Sequence, residues 1–86
     1  MDAYEVRLKS SALKELKGLP KGDAGRVLSS IRALRNEPRP RGAKKLRLGK
    51  SLWRIRVGDF RAIYEIDDER RIIRITRIRH RDVAYR

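Results

Sequence analysis

Residues 52–66 read LWRIRVGDFRAIYEI. Trp53, Ile55 and Val57 alternate with Arg54 and Arg56; after Gly58 and Asp59, the residues Phe60, Ala62, Tyr64 and Ile66 alternate with Arg61, Ile63 and Glu65. Alternation at period two marks a strand with one face in a core, and Gly-Asp between two such runs is a permitted tight turn, so the stretch predicts a β-hairpin. Its polar face is unusual. Arg54 and Arg56 project from the first strand and Arg61 opens the second, so three guanidiniums share one small region.

Working outward, residues 3–8 (AYEVRL) alternate loosely and predict a short first strand. Ser10-Ser11 offers an N-cap to a short helix with Leu13 and Leu16 on one face, ended by Gly18 and Pro20. A second helix opens at Gly22 or Asp23, places Val27, Leu28, Ile31 and Leu34 at helical spacing with Arg26, Arg32 and Arg35 on the wet side, and stops at Glu37-Pro38. Residues 38–42 (PRPRG) form a stiff basic connector, and residues 44–50 a basic loop or short strand. Beyond the hairpin, Asp67-Asp68-Glu69 is an acidic turn and residues 71–78 (RIIRITRI) a β-branched last strand. In that strand Ile73 and Ile75 share one face, and Ile72, Arg74, Thr76 and Ile78 the other. The expectation is a single α+β domain over residues 1–86: a small twisted antiparallel sheet of about four strands in the order β-α-α-β-β-β, two helices on one face, and a short C-terminal turn or helix. The other face is left for function, and Tyr64 and Trp53 belong to the core.

A chain of 86 residues is near the lower size at which one core holds a fold unaided. With no cysteine and one histidine it can build neither a disulfide framework nor a Cys/His zinc site. The N-terminus lacks the basic-then-apolar order of a signal peptide, and no apolar run approaches the ~20 residues that span a bilayer, so a cytoplasmic protein is expected. Lys and Arg number 24 against 11 Asp and Glu, a net charge of +13. Residues 1–40 hold 9 basic and 5 acidic side chains (net +4), and residues 41–86 hold 15 and 6 (net +9). An excess of this size, gathered where the strands lie and made largely of Arg, points to a polyanionic partner bound through phosphate.

WRIRVGDFRAIYEID (residues 53–67) and the terminal IRHRDVAYR (residues 78–86) resemble the RelE/ParE superfamily of toxins from toxin–antitoxin pairs, and most closely its RelE-type mRNA interferases. The resemblance covers essentially the whole chain in element order. It implies cleavage of mRNA in the ribosomal A site by attack of the ribose 2′-hydroxyl on the adjacent phosphate, with no metal or other cofactor. By the same resemblance, Arg54 and Arg56 stand at basic positions of the active face. Arg61 matches a phosphate-binding Arg, Arg81 the Arg after the last strand, and Tyr85 a C-terminal Tyr. His80 sits where members vary. A cognate antitoxin with an acidic or amphipathic segment is implied as partner, beside the ribosome and its message.

The chemistry fits these residue types. In-line transfer needs charge stabilised on a phosphorane, a proton taken from the 2′-hydroxyl and one given to the 5′-oxygen. Guanidiniums supply only the first, because they do not deprotonate. Tyr85, drawn toward phenolate by nearby cations, serves as base or as a substrate-positioning group, and His80 serves as acid if it faces the site. Tyr85 has a bland alternative, a ring that pins the tail to the core, and His80 another, a plain surface residue. Lys44, Lys45, Arg47, Lys50 and Arg79 are expected to touch RNA without sequence preference. Two other functions fit the same basic face: a ParE-like poison of DNA gyrase without catalysis, and a nucleic-acid-binding module that only docks.

Overall fold

Residues 52–66 do fold as a hairpin. In the computed structural model, which describes residues 3–47 and 52–80, strand β3 (Leu52–Val57) pairs antiparallel with β4 (Phe60–Asp67) from Leu52↔Glu65 to Val57↔Phe60. Gly58 carries the turn at φ 61°. A positive φ at the first central position and not at Asp59 is the pattern of a type II′ turn, whose twist matches that of the strands.

The full order is β1 (Glu5–Leu8), α1 (Ser10–Lys17), α2 (Lys21–Ala33), β2 (Lys44–Lys45), β3, β4 and β5 (Ile72–His80), in one sheet ordered β1-β5-β4-β3-β2. The expected α+β class, order of strands and helices up to the last strand, and helical layer are all present, and the short C-terminal turn or helix expected beyond that strand lies outside the described residues. Two details differ. The basic segment contributes a fifth, two-residue strand, β2, paired with β3 at Lys44↔Arg54 and Lys45↔Trp53. The sheet is also mixed rather than wholly antiparallel, because β1 runs parallel to β5 from Glu5↔Ile72 to Leu8↔Ile75. Everything between those two strands acts as the long crossover that a parallel pair requires.

The core lies between the sheet and the two helices. It gathers Ala12, Leu16, Val27, Ile31 and Leu34 with Ile55, Ala62, Tyr64, Ile66, Ile73, Ile75 and Ile78. In α1 the buried face is Ala12 and Leu16, one turn apart, while Leu13 is 40% exposed and does not share it. The helix caps also depart from expectation. Lys9, whose ammonium cannot accept a backbone N–H, stands at the cap of α1 with no side-chain bond, and the Ser11 hydroxyl donates to the Thr76 carbonyl (2.9 Å). Helix α2 starts at Lys21 behind Pro20, with Asp23 in its first turn, and its last regular residue is Ala33, ahead of Glu37.

A β-bulge corrects the reading of the last strand. The β4–β5 register shifts between Ile63 and Tyr64, so that Tyr64 faces Ile75 while Ile63 faces Arg77. Thr76 is the extra residue, and its hydroxyl donates to the Ile63 carbonyl (3.1 Å). Past it the alternation inverts. Ile78 therefore joins Ile73 and Ile75 in the core at 2% exposure, and Arg77 and Arg79 turn to the opposite face.

Candidate nucleic-acid interface

The register fixes which side chains share the face away from the helices. Since Ile55, Ala62 and Tyr64 point into the core, their neighbours Arg54, Arg56, Arg61 and Ile63 alternate outward. Two rows cross the sheet there. One is Arg56, Arg61 and Arg79, each directly opposite the next; the other is Lys44, Arg54, Ile63 and Arg77. Like charges set opposite one another across strands oppose folding unless anions offset them.

One end of this lattice is offset by the protein itself. Glu15, on α1, reaches the outer edge of β5 beyond the last residue paired with β1. Its Oε1 accepts the Ile78 backbone N–H (2.8 Å), and its Oε2 meets Arg79 Nε at 3.1 Å and Arg77 Nη2 at 3.2 Å. Lys9 N–H to the Ile75 carbonyl and the Ser11 hydroxyl to Thr76 complete this edge. Helix α1 thus covers polar groups that an uncovered edge strand would present.

The other end has no such anion among the described residues. A cleft of about 500 Å³ opens between α2, the connector and the edge of β3, lined by Ser30, Ala33, Pro40, Arg41, Gly42, Lys44, Arg54, Ile55 and Arg56. Among the described residues that line it, four are cations and none is acidic. Arg54 was expected on an exposed surface; instead it is 8% exposed, flanked by β2 and β4, and its buried Nε has no hydrogen-bond partner. A buried guanidinium N–H without an acceptor is costly, which makes the cleft receptive to an anion. Gly42, at φ 94°, lets the connector turn at the mouth, where Ala43 N–H donates to the Pro40 carbonyl (2.9 Å).

The remaining candidates separate. Lys44 faces the cleft, Lys45 pairs with Trp53 and so alternates to the other face, and Arg47 is exposed just beyond β2. His80 pairs with Phe60 on the helix-side face and packs edge-on against its ring at 5.5 Å, so it does not stand in the arginine row. Lys50, Arg81 and Tyr85 lie outside the described residues. Arg41, Arg77 and Glu15 escape the sequence pattern. Arg41 is hidden in the connector and Arg77 by the bulge. Glu15 leaves one trace, as the only acid in SSALKELK.

A polar staple holds this region to the rest of the fold. Asp68 accepts the Tyr4 hydroxyl (2.6 Å) and Arg39 Nη2 (2.8 Å), while the Arg39 guanidinium lies 5.1 Å from the centre of the Trp53 ring. Trp53 is half-buried under that cation. The bonds from Arg39 and Tyr4 hold the Asp68 carboxyl below its usual range, and the bond to Asp68 raises the Tyr4 hydroxyl. Tyr64, wholly buried, donates to the Pro38 carbonyl (2.8 Å), and burial pushes its hydroxyl up to about 12.

The family described as the ParE toxin of the type II toxin–antitoxin system, parDE, matches residues 6–85. The protein RelE1 of Methanocaldococcus jannaschii is 31% identical over 86 residues, 96% of each chain. A chain of the RelE–RelB complex from Pyrococcus horikoshii OT3 superposes with a TM-score of 0.83 at 33% identity, over 95% of this chain and 99% of that one. For the toxin–antitoxin complex RelBE2 of Mycobacterium tuberculosis the score is 0.81 at 33% identity, over 92% and 99%. The YoeB/ParE toxin of Agrobacterium tumefaciens, at 13% identity and a TM-score of 0.74 over 88% and 96%, shares the fold. With its sequence matched over nearly its full length and its sheet and helices superposed on those of RelE proteins, the chain belongs to the RelE/ParE family of toxins from type II toxin–antitoxin systems.

Proposed function

We propose that this toxin is a ribosome-dependent mRNA endoribonuclease that cuts the message in the A site. The observation that carries the reading is the uncompensated cationic cleft of Arg41, Lys44, Arg54 and Arg56, beside a row in which Arg56 faces Arg61. A phosphodiester seated there meets guanidiniums that stabilise the extra negative charge of the phosphorane. The 2′-oxygen bonds to phosphorus, the bond to the 5′-oxygen breaks, and the products are a 2′,3′-cyclic phosphate and a 5′-hydroxyl. Arg61 and Arg81 hold phosphate. Since His80 packs on Phe60 on the far face, Tyr85 is the preferred group for taking the 2′-hydroxyl proton, and solvent water gives the proton that the leaving 5′-oxygen needs. The partner is an antitoxin with an acidic segment that covers the basic face; the similar RelE chains of Pyrococcus and Mycobacterium were crystallised in complex with theirs.

A gyrase-directed poison is the second reading, favoured by the parDE description of the matching family. One pair of assays separates the two. Arg61→Ala and Arg81→Ala are expected to lower toxicity and mRNA cleavage by orders of magnitude with the fold retained, and the parent toxin to leave gyrase supercoiling untouched. Full cleavage by both variants, or supercoiling inhibited without cleavage, contradicts the proposal.

A further inference from the structure

The arginine lattice is not electrically uniform. Arg77 and Arg79 share the carboxylate of Glu15, whereas Arg41, Lys44, Arg54 and Arg56 have no acidic partner among the described residues. Glu15 is well placed for this. Its side chain is 25% exposed, so its charge is screened less than that of a free surface acid, and its second oxygen is anchored on the Ile78 backbone N–H. The carboxylate occupies the position, relative to Arg79 Nε and Arg77 Nη2, that a phosphate oxygen would take. Of the row Arg56, Arg61 and Arg79, one end is therefore drawn toward the outer edge of β5 and the other is left for a ligand.

We propose that Glu15 is a positioning residue that acts as an internal substitute for phosphate, withholding Arg77 and Arg79 from RNA and confining the bound strand to the β3–β4 side of the face. This rests on reading the face as RNA-binding. It removes Arg79 from the set of RNA contacts and gives α1 a role in where the message lies. Glu15 offsets the like charge that Arg79 sets opposite Arg61.

The test measures binding of a short oligouridine across a salt series. Glu15→Gln keeps an oxygen for the Ile78 N–H and loses the charge. Each phosphate contact adds about 0.7 to the slope of log K against log salt for single strands, so release of two arginines steepens it by roughly 1.4, with tighter binding at low salt. Glu37→Gln, the same charge change at an exposed position, is expected to leave the slope alone. In an Arg77→Gln/Arg79→Gln background, Glu15→Gln is expected to lose its effect. An unchanged slope in Glu15→Gln, or the same steepening in Glu37→Gln or in the double-arginine background, overturns the proposal. In the unaltered protein, oligouridine should shift the Nε–H resonances of Arg56 and Arg61 and leave that of Arg79 in place; a shift at Arg79 also overturns it. If oligouridine binds in this pattern while mRNA stays intact in a translation extract, the nuclease reading falls and the role of Glu15 stands.

Discussion

Tyr64 shows how one side chain serves core and connector together. Its ring is fully buried between sheet and helices, and its hydroxyl donates to the Pro38 carbonyl, fixing the connector that leads to Arg41 and the cleft. Tyr64→Phe is expected to cost about 1 kcal/mol, read by chemical denaturation, because the part-buried Pro38 carbonyl loses its donor. With burial pushing the hydroxyl up to about 12, the folded form favours the protonated phenol. That contribution is complete below the ordinary tyrosine range and is lost as pH rises through the raised value. Gly58→Ala should cost about 1 kcal/mol for a different reason. The added methyl would meet only the Arg26 guanidinium, at 3.8 Å, so the penalty is the left-handed backbone at φ 61° and not a clash.

Among the strands and helices, local pattern succeeds where the determinant is local. The hairpin was legible because alternation and a two-residue turn are both written within fifteen consecutive residues. The outward side of Arg56 and Arg61 followed from the same alternation. The parallel pairing of β1 with β5 was not legible, since it joins segments more than sixty residues apart and leaves no mark in either. The bulge at Ile63/Tyr64 was hidden for a related reason: one extra residue, Thr76, inverts the period and sends Arg77 outward and Ile78 inward. The pairing of Lys44 with Arg54 was only half legible, since nothing local decides between the loop and the short strand that residues 44–50 allow. Glu15 needed the path of α1 along an edge that the sequence does not define. The staple between the connector and the β4–β5 turn has its own pH signature. Its acceptor, Asp68, is held below the usual carboxylate range by Arg39 and Tyr4, so the stabilisation it adds is present above that range and disappears as pH falls through the lowered value. The stability gap between the parent and Asp68→Asn should therefore narrow on acidification below roughly pH 4, followed by thermal unfolding across a pH series.

The molecule as a whole reconciles a net charge of +13 with a small core by spending its acids selectively. Glu5, Glu15, Asp23 and Asp68 pair with Arg7, Arg77, Arg79, Arg26 and Arg39, all away from the cleft. Arg41, Lys44, Arg54 and Arg56 gather in one cleft with no acidic partner among the described residues, and an RNA backbone would be drawn there. Charge alone would equally suit a docking surface. What separates an enzyme from a docking module is whether a bond in the message breaks, and whether breaking it needs the ribosome. The most direct measurement is to add the toxin to a translation extract and map mRNA 5′ ends with and without ribosomes. The account predicts new 5′-hydroxyl ends at A-site positions, only with ribosomes present, and absent with Arg61→Ala. An intact message on stalled or inhibited ribosomes, or ends that form equally without ribosomes, would contradict it.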